Sequence, residues 1–232
     1  MTRPIIALDF SSFEETLDFL DLFDESLYVK IGMESYLLNG PHVIRTIQER
    51  GHQIFLDLKL HDIPNTVERT MRGLAELGVD MVNVHAQGGS KMMQAAVEAY
   101  KSVHPSGTVL AVTQLTSLSE EQFIQETKSQ LSLEENIIHY AQLAQQSGID
   151  GVVCSPLESQ AVHTVCGEEF LTVTPGIRLS DAQADDQSRV VTPNRARQLG
   201  SDYIVVGRPI TLADDPVQAY QQIKANWEGQ DE

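Results

Sequence analysis

Eight short runs of β-branched and other apolar residues, separated by longer amphipathic stretches, most restrict how this chain can fold. The runs cover residues 5–9, 28–31, 53–59, 81–85, 109–113, 151–154, 171–174 and 203–206. Between them the spacing predicts helices over 14–23, 41–50, 66–77, 91–100, 134–147, 158–165, 194–199 and 216–227. Pro41 opens one of these at a first turn, and Gly78 stands where another needs a C-terminal cap. Strands that are apolar on both faces suit a parallel sheet covered by helices. About eight such units in 232 residues point to an α/β fold, a closed (β/α)8 TIM barrel. An open doubly wound sheet is the alternative that periodicity leaves standing. No linker or low-complexity tract interrupts the alternation, so residues 1–232 read as one domain.

Charge narrows the partners. Thirty-three acidic residues against sixteen basic ones give a net charge of −17, a field that repels nucleic acid and anionic membranes. Lys and Arg are scattered rather than clustered, so neither partner is expected. No apolar run approaches the ~20 residues needed to span a bilayer. The first residues lack the architecture of a signal peptide, and a cytoplasmic location is expected. Cys154 and Cys166 have no CxxC spacing and read as free thiols.

The third run carries the chemistry. In Phe55-Leu56-Asp57-Leu58-Lys59-Leu60-His61-Asp62 the side chains alternate, so Asp57 and Lys59 share one face and Leu56 and Leu58 the other. Leucines facing the helices place the charged pair on the inner face near the C-terminal rim. Asp62 follows just past the strand, Lys30 ends the second run and Asp9 the first, so all can meet at one mouth. An ion-pair network that merely closes the barrel top is the plain reading. Several costly charges at the face where barrels do chemistry favour a catalytic one. Opposite charges favour the ammonium form, so a lysine among carboxylates suits proton donation better than Schiff-base chemistry. Such a cluster fits a reaction that generates a carbanion and then protonates it.

A second signal follows runs seven and eight: Pro175-Gly176-Ile177-Arg178 and Gly207-Arg208-Pro209-Ile210. In this fold these loops are the usual phosphate site, glycine admitting backbone N–H groups and Arg208 offering a planar fork. Two connections, 114–132 and 178–192, are long and polar, as lids are. His61, His85 and the carboxylates offer metal ligands, but no HxH, HExxH or Cys/His spacing occurs and Lys59 would compete with a cation. His85, with Asn83 on the same face, reads as rim lining. Neither metal nor cofactor is expected.

Asp57-Leu58-Lys59-Leu60-His61-Asp62-Ile63-Pro64-Asn65-Thr66 resembles the signature of the orotidine 5′-phosphate decarboxylase family, in its bacterial branch. Ala7-Leu8-Asp9, Val82-Asn83-Val84-His85-Ala86 with Gly88-Gly89, Val112-Thr113-Gln114-Leu115-Thr116-Ser117 and the two phosphate-loop motifs follow in the family's order. The resemblance covers nearly the whole chain. The stretch 182–189 is its least typical part. It implies a lyase of pyrimidine (UMP) biosynthesis that converts orotidine 5′-monophosphate to uridine 5′-monophosphate and CO₂. By the same resemblance, Lys59 protonates C6 of the pyrimidine, and Lys30, Asp57 and Asp62 complete a charge network. Asp9 and Lys30 hold ribose hydroxyls and Thr116 the pyrimidine. Gln187, Gly207 and Arg208, with Arg178 nearby, grip the phosphate. Asp62, Ile63 and Thr66 reach the neighbouring subunit's site, which implies a homodimer.

Two rivals stand beside this reading. A related phosphosugar enzyme of the same barrel type has a similar Asp-x-Lys-x-x-Asp core but uses magnesium, and Ile63-Pro64-Asn65-Thr66 argues against it. A silent barrel that senses a phosphorylated metabolite would have no need of so costly a charge cluster.

Overall fold

A computed structural model describes residues 2–179 and 190–230. Eight parallel strands close into a barrel in sequence order: β1 (Ile5–Ala7), β2 (Tyr28–Gly32), β3 (Gln53–Leu60), β4 (Met81–His85), β5 (Thr108–Val112), β6 (Gly151–Val153), β7 (Leu171–Thr174) and β8 (Tyr203–Val206). Ile5 and Ile6 pair with Val205 and Val206, which closes the ring and rules out the open sheet. The strands keep the expected positions within one or two residues at their ends.

Alternation along the strands divides the core in two. Ile5, Ala7, Tyr28, Phe55, Met81, Leu110, Val173 and Val205 pack against one another inside the barrel. Residues of the opposite parity, such as Ile6, Val29, Ile54, Leu56, Val82 and Val152, pack outward against the helices. Both layers are apolar and buried, as a packed barrel requires, so any site must lie above the inner layer. The last helix, Pro216–Glu228, ties back to the start of the chain through buried Trp227, whose Nε1–H donates to the Thr2 carbonyl at 2.8 Å.

Among the described residues, three α-helical segments were not expected. Met33–Asn39 runs into Pro41–Glu49 across Gly40, whose φ of +60° is open to glycine at little cost. Its Leu37 and Leu38 are exposed rather than buried, so no amphipathic stripe marks it. The polar connection 114–132 contains the helix Glu120–Thr127, started by a Ser119/Gln122 capping box and seated by Phe123 against Leu133 and Ile137. Arg208–Thr211 forms a single turn directly after β8. Residues 180–189, which include most of the expected lid, lie outside the described residues. The two ends of that connection are joined: Arg178 N–H donates to Val191 O at 3.0 Å and Val191 N–H to Gly176 O at 3.1 Å.

One departure bears on the site. β3 and β4 pair at Leu56–Val82 and next at Leu60–Val84, so three residues of β3 stand opposite Asn83 alone. Within this bulge Lys59 takes a φ of +50°, a left-handed conformation that a residue with a Cβ adopts at a cost of ~1 kcal/mol or more. The inward placement of Asp57 follows from alternation. The aim of Lys59 follows from the bulge.

Candidate active site

Above the inner core, at the C-terminal ends of the strands, lies a cavity of about 560 Å³. Ala7, Phe55, Val112, Val153 and Val205 supply apolar walls. Asp9, Lys30, Asp57 and Lys59 line it after β1 to β3, and Gly176, Arg178, Gly207 and Arg208 after β7 and β8, with Thr116 in the lining between β5 and the next helix. A cavity of this size takes a molecule as large as a nucleotide, with polar groups in its lining to fix the direction of the molecule.

Asp57 is the centre of the charged side. Only 9% of it is exposed, so its carboxylate needs partners, and it has three. Lys59 Nζ donates to Oδ1 at 2.7 Å, Asn83 Nδ2 donates to the same oxygen at 2.7 Å, and Lys30 Nζ lies 3.5 Å from Oδ2. Burial pushes the carboxyl up, but the ammonium groups of Lys30 and Lys59 and the two hydrogen bonds outweigh it and hold Asp57 below the usual carboxylate range. Lys30 also reaches Asp9 Oδ1 at 3.2 Å, giving the chain Asp9–Lys30–Asp57–Lys59. Four charges of alternating sign thus converge: strand parity predicts the inward facing of Asp9, Lys30 and Asp57, and the bulge aims Lys59.

Asp62 does not join them within this chain. It is exposed, its Oδ1 accepts the Ile63 N–H at 2.7 Å, and among the described residues it makes no ion pair. The bulge and the turn that follows carry it out of the mouth, so nearness in sequence did not mean nearness at the rim. Ile63 is 66% exposed, and Thr66 is half-buried on the helix Pro64–Glu76.

Gly176, which lines the cavity after β7, has a φ of +84°, a conformation that glycine adopts at little cost. Arg178 is buried, with Nη1 donating to the Ile177 carbonyl at 2.8 Å. Arg208 is exposed at the cavity wall. Gln187 lies outside the described residues.

Two polar residues were not singled out from the sequence. Asn83 is 1% exposed and bonded to both Asp57 and Lys59. Gln114, also buried, accepts from Gln87 Nε2 at 3.3 Å and donates to Asn136 Oδ1 at 2.9 Å, which braces the loop carrying Thr116. The available signal was a carboxamide at an inward position of an apolar strand, where it must find partners. His85 stacks on His61 at 5.6 Å. Burial, with His61 and Lys59 nearby, lowers its basicity, and its neutral Nδ1 accepts the Gln87 N–H at 3.4 Å. Among the described residues no group of three His, Cys, Asp or Glu is placed to hold a metal ion, and no helix is long and apolar enough to cross a membrane.

Comparison with known proteins gives a consistent result. The model of the orotidine 5′-phosphate decarboxylase / HUMPS family matches residues 2–223. An orotidine 5′-phosphate decarboxylase of Staphylococcus aureus is 57% identical over 224 residues, covering 97% of each chain. The crystal structure of an orotidine 5′-phosphate decarboxylase from Lactobacillus acidophilus superposes with a TM-score of 0.87 at 42% identity, over 97% of this chain and 99% of that one. An uncharacterized conserved protein from Geobacillus kaustophilus gives 0.86 at 47% identity, over 96% and 99%.

Proposed function

The chain belongs to the orotidine 5′-phosphate decarboxylase / HUMPS family, and from that premise we propose that it decarboxylates orotidine 5′-monophosphate to uridine 5′-monophosphate, a step of pyrimidine biosynthesis. The observation that carries this reading is the buried Asp57 held between Lys30 and Lys59, in one cavity with Gly207 and Arg208.

The chemistry follows from that arrangement. Heterolysis of the bond between C6 and its carboxylate releases CO₂ and leaves the electron pair on C6, where the ring does not delocalise it. Stabilisation must therefore come from fixed charge, and the Lys59 ammonium supplies it without reorganisation. Lys59 then transfers a proton to C6 and regains one from solvent. Lys30 and Asp57 hold that ammonium in place, and Asp9 with Lys30 is suited to ribose hydroxyls. Thr116 faces the pyrimidine, while Gly207, Arg208 and Arg178, with Gln187, take the phosphate. No cofactor or metal enters this scheme. Two ammonium groups on Asp57 neutralise the carboxylate that a divalent cation would need, which favours the nucleotide reaction over a magnesium-dependent phosphosugar one.

The test is a spectrophotometric assay with orotidine 5′-monophosphate in the presence of a chelator. Rapid, chelator-resistant formation of uridine 5′-monophosphate is expected; no turnover by folded protein would overturn the reading.

A cytoplasmic homodimer with shared sites belongs to the same proposal, and residues 1–232 act in it as one catalytic domain. Its support is the exposure of Asp62 and Ile63 on the segment that leaves β3 beside the site. In a two-fold dimer these side chains would complete the partner's charge network. Lys59→Ala and Asp62→Ala chains, each inactive alone, should then regain roughly a quarter of wild-type activity on subunit exchange, since half the dimers are mixed and carry one intact site. No recovery after demonstrated exchange would place each site within one chain.

A further inference from the structure

We propose that Asn83 is a positioning residue of the reaction, holding Lys59 and Asp57 in register through a single carboxamide; this rests on the decarboxylase reading. Where β3 bulges, Lys59 N–H has no strand partner, and Asn83 Oδ1 accepts it at 2.7 Å. The other end of the same carboxamide, Nδ2, donates to Asp57 Oδ1 at 2.7 Å, the oxygen that also accepts Lys59 Nζ at 2.7 Å. The amide has only one workable orientation. Its oxygen alone can accept the backbone N–H, and its NH₂ alone can donate to an ionised carboxylate.

The backbone of the proton donor and the carboxylate that orients its ammonium are therefore tied to one rigid point on the neighbouring strand. Asn83 is 1% exposed and does not line the cavity, so it acts through Lys59 and Asp57 rather than on the substrate. The left-handed φ of Lys59 shows why a tie is needed: this conformation is disfavoured for lysine and persists only where its surroundings enforce it. An apolar residue at position 83 would take away the Asn83 partner of the Lys59 N–H in a partly buried place and free the bulge to relax. A shift of the ammonium of about 1 Å relative to C6 is enough to cost ~10²-fold in rate.

The experiment compares wild type, Asn83→Ala and Asn83→Asp in three readouts: turnover of orotidine 5′-monophosphate, affinity for uridine 5′-monophosphate, and thermal unfolding. Asn83→Asp keeps an acceptor for the Lys59 N–H but replaces the donor to Asp57, so it separates the two ties and guards against misfolding of the alanine variant. Both variants are expected to fold. Asn83→Ala should lose about 10²-fold in kcat while KM and product affinity stay within about threefold. Asn83→Asp should lose kcat in the same selective way.

A folded Asn83→Ala with kcat within threefold of wild type would overturn the role. So would equal losses of kcat and product affinity, or failure of both variants to fold, since these mark a structural residue only. If wild type itself does not turn over orotidine 5′-monophosphate, the reading of the reaction falls and this one with it. A normal wild type beside a normal Asn83→Ala overturns the positioning role alone.

Discussion

Lys59→Ala is expected to abolish measurable turnover of orotidine 5′-monophosphate while leaving a folded barrel. The loss has two parts. A positioned proton donor contributes ~10²–10⁴-fold, and a fixed charge at the developing carbanion ~10²–10³-fold. Removing one ammonium removes both, so a fall of about 10⁴-fold or more is expected. The fold should survive because Lys59 sits at the cavity mouth with its side chain 38% exposed. Asp57 would still keep Asn83 on Oδ1 and Lys30 at 3.5 Å.

Stability at low pH should change in a defined direction. In the native protein Asp57 titrates below its unfolded value, so its contribution is complete above the unfolded value and is lost as pH falls through the folded one. Without Lys59 the folded value rises toward the unfolded one, and that contribution shrinks. Turnover and urea unfolding at neutral and acid pH measure both effects on one sample. A folded Lys59→Ala protein with near-normal rate would remove Lys59 as the proton donor.

The second large effect should separate two ends of one substrate. Arg208→Ala is expected to lower kcat/KM for orotidine 5′-monophosphate by about 10²-fold or more, because hydrogen bonds to a charged group are worth ~1.5–3 kcal/mol each and a guanidinium makes two. For orotidine, which lacks the phosphate, the change should be small. Arg208 lines the same cavity as the Lys30–Asp57–Lys59 cluster but, among the described residues, shares no ion pair with it, so its loss need not disturb the reacting end. Part of the loss should appear in kcat, since binding energy at a remote group can be used to organise the reacting one. Equal losses with both substrates would refute a phosphate-specific role.

How far each feature could be read from the sequence depends on how local its cause is. The (β/α)8 barrel was legible because apolar periodicity is a property of each segment, repeated eight times. The inward facing of Asp9, Lys30 and Asp57 was legible because a strand alternates with period two whatever its neighbours do. Glycine and arginine after β7 and β8 were legible because the fold gives those loops a common place. The helix Glu120–Thr127 could have been found from its Ser119/Gln122 capping box, but it reads as polar connection until Phe123 has a cluster to enter.

Other features were decided only by the tertiary structure. The register of β3 against β4 is set by hydrogen bonds between residues distant in sequence, and with it come the bulge, the left-handed Lys59 and the clamp by Asn83. The same bulge and turn send Asp62 outward, although it lies three residues from Lys59. Sequence therefore determined which residues carry charge and which strand face they occupy. Their aim at the substrate was decided by strand pairing, because a shift in register re-aims every side chain beyond it without changing any local preference.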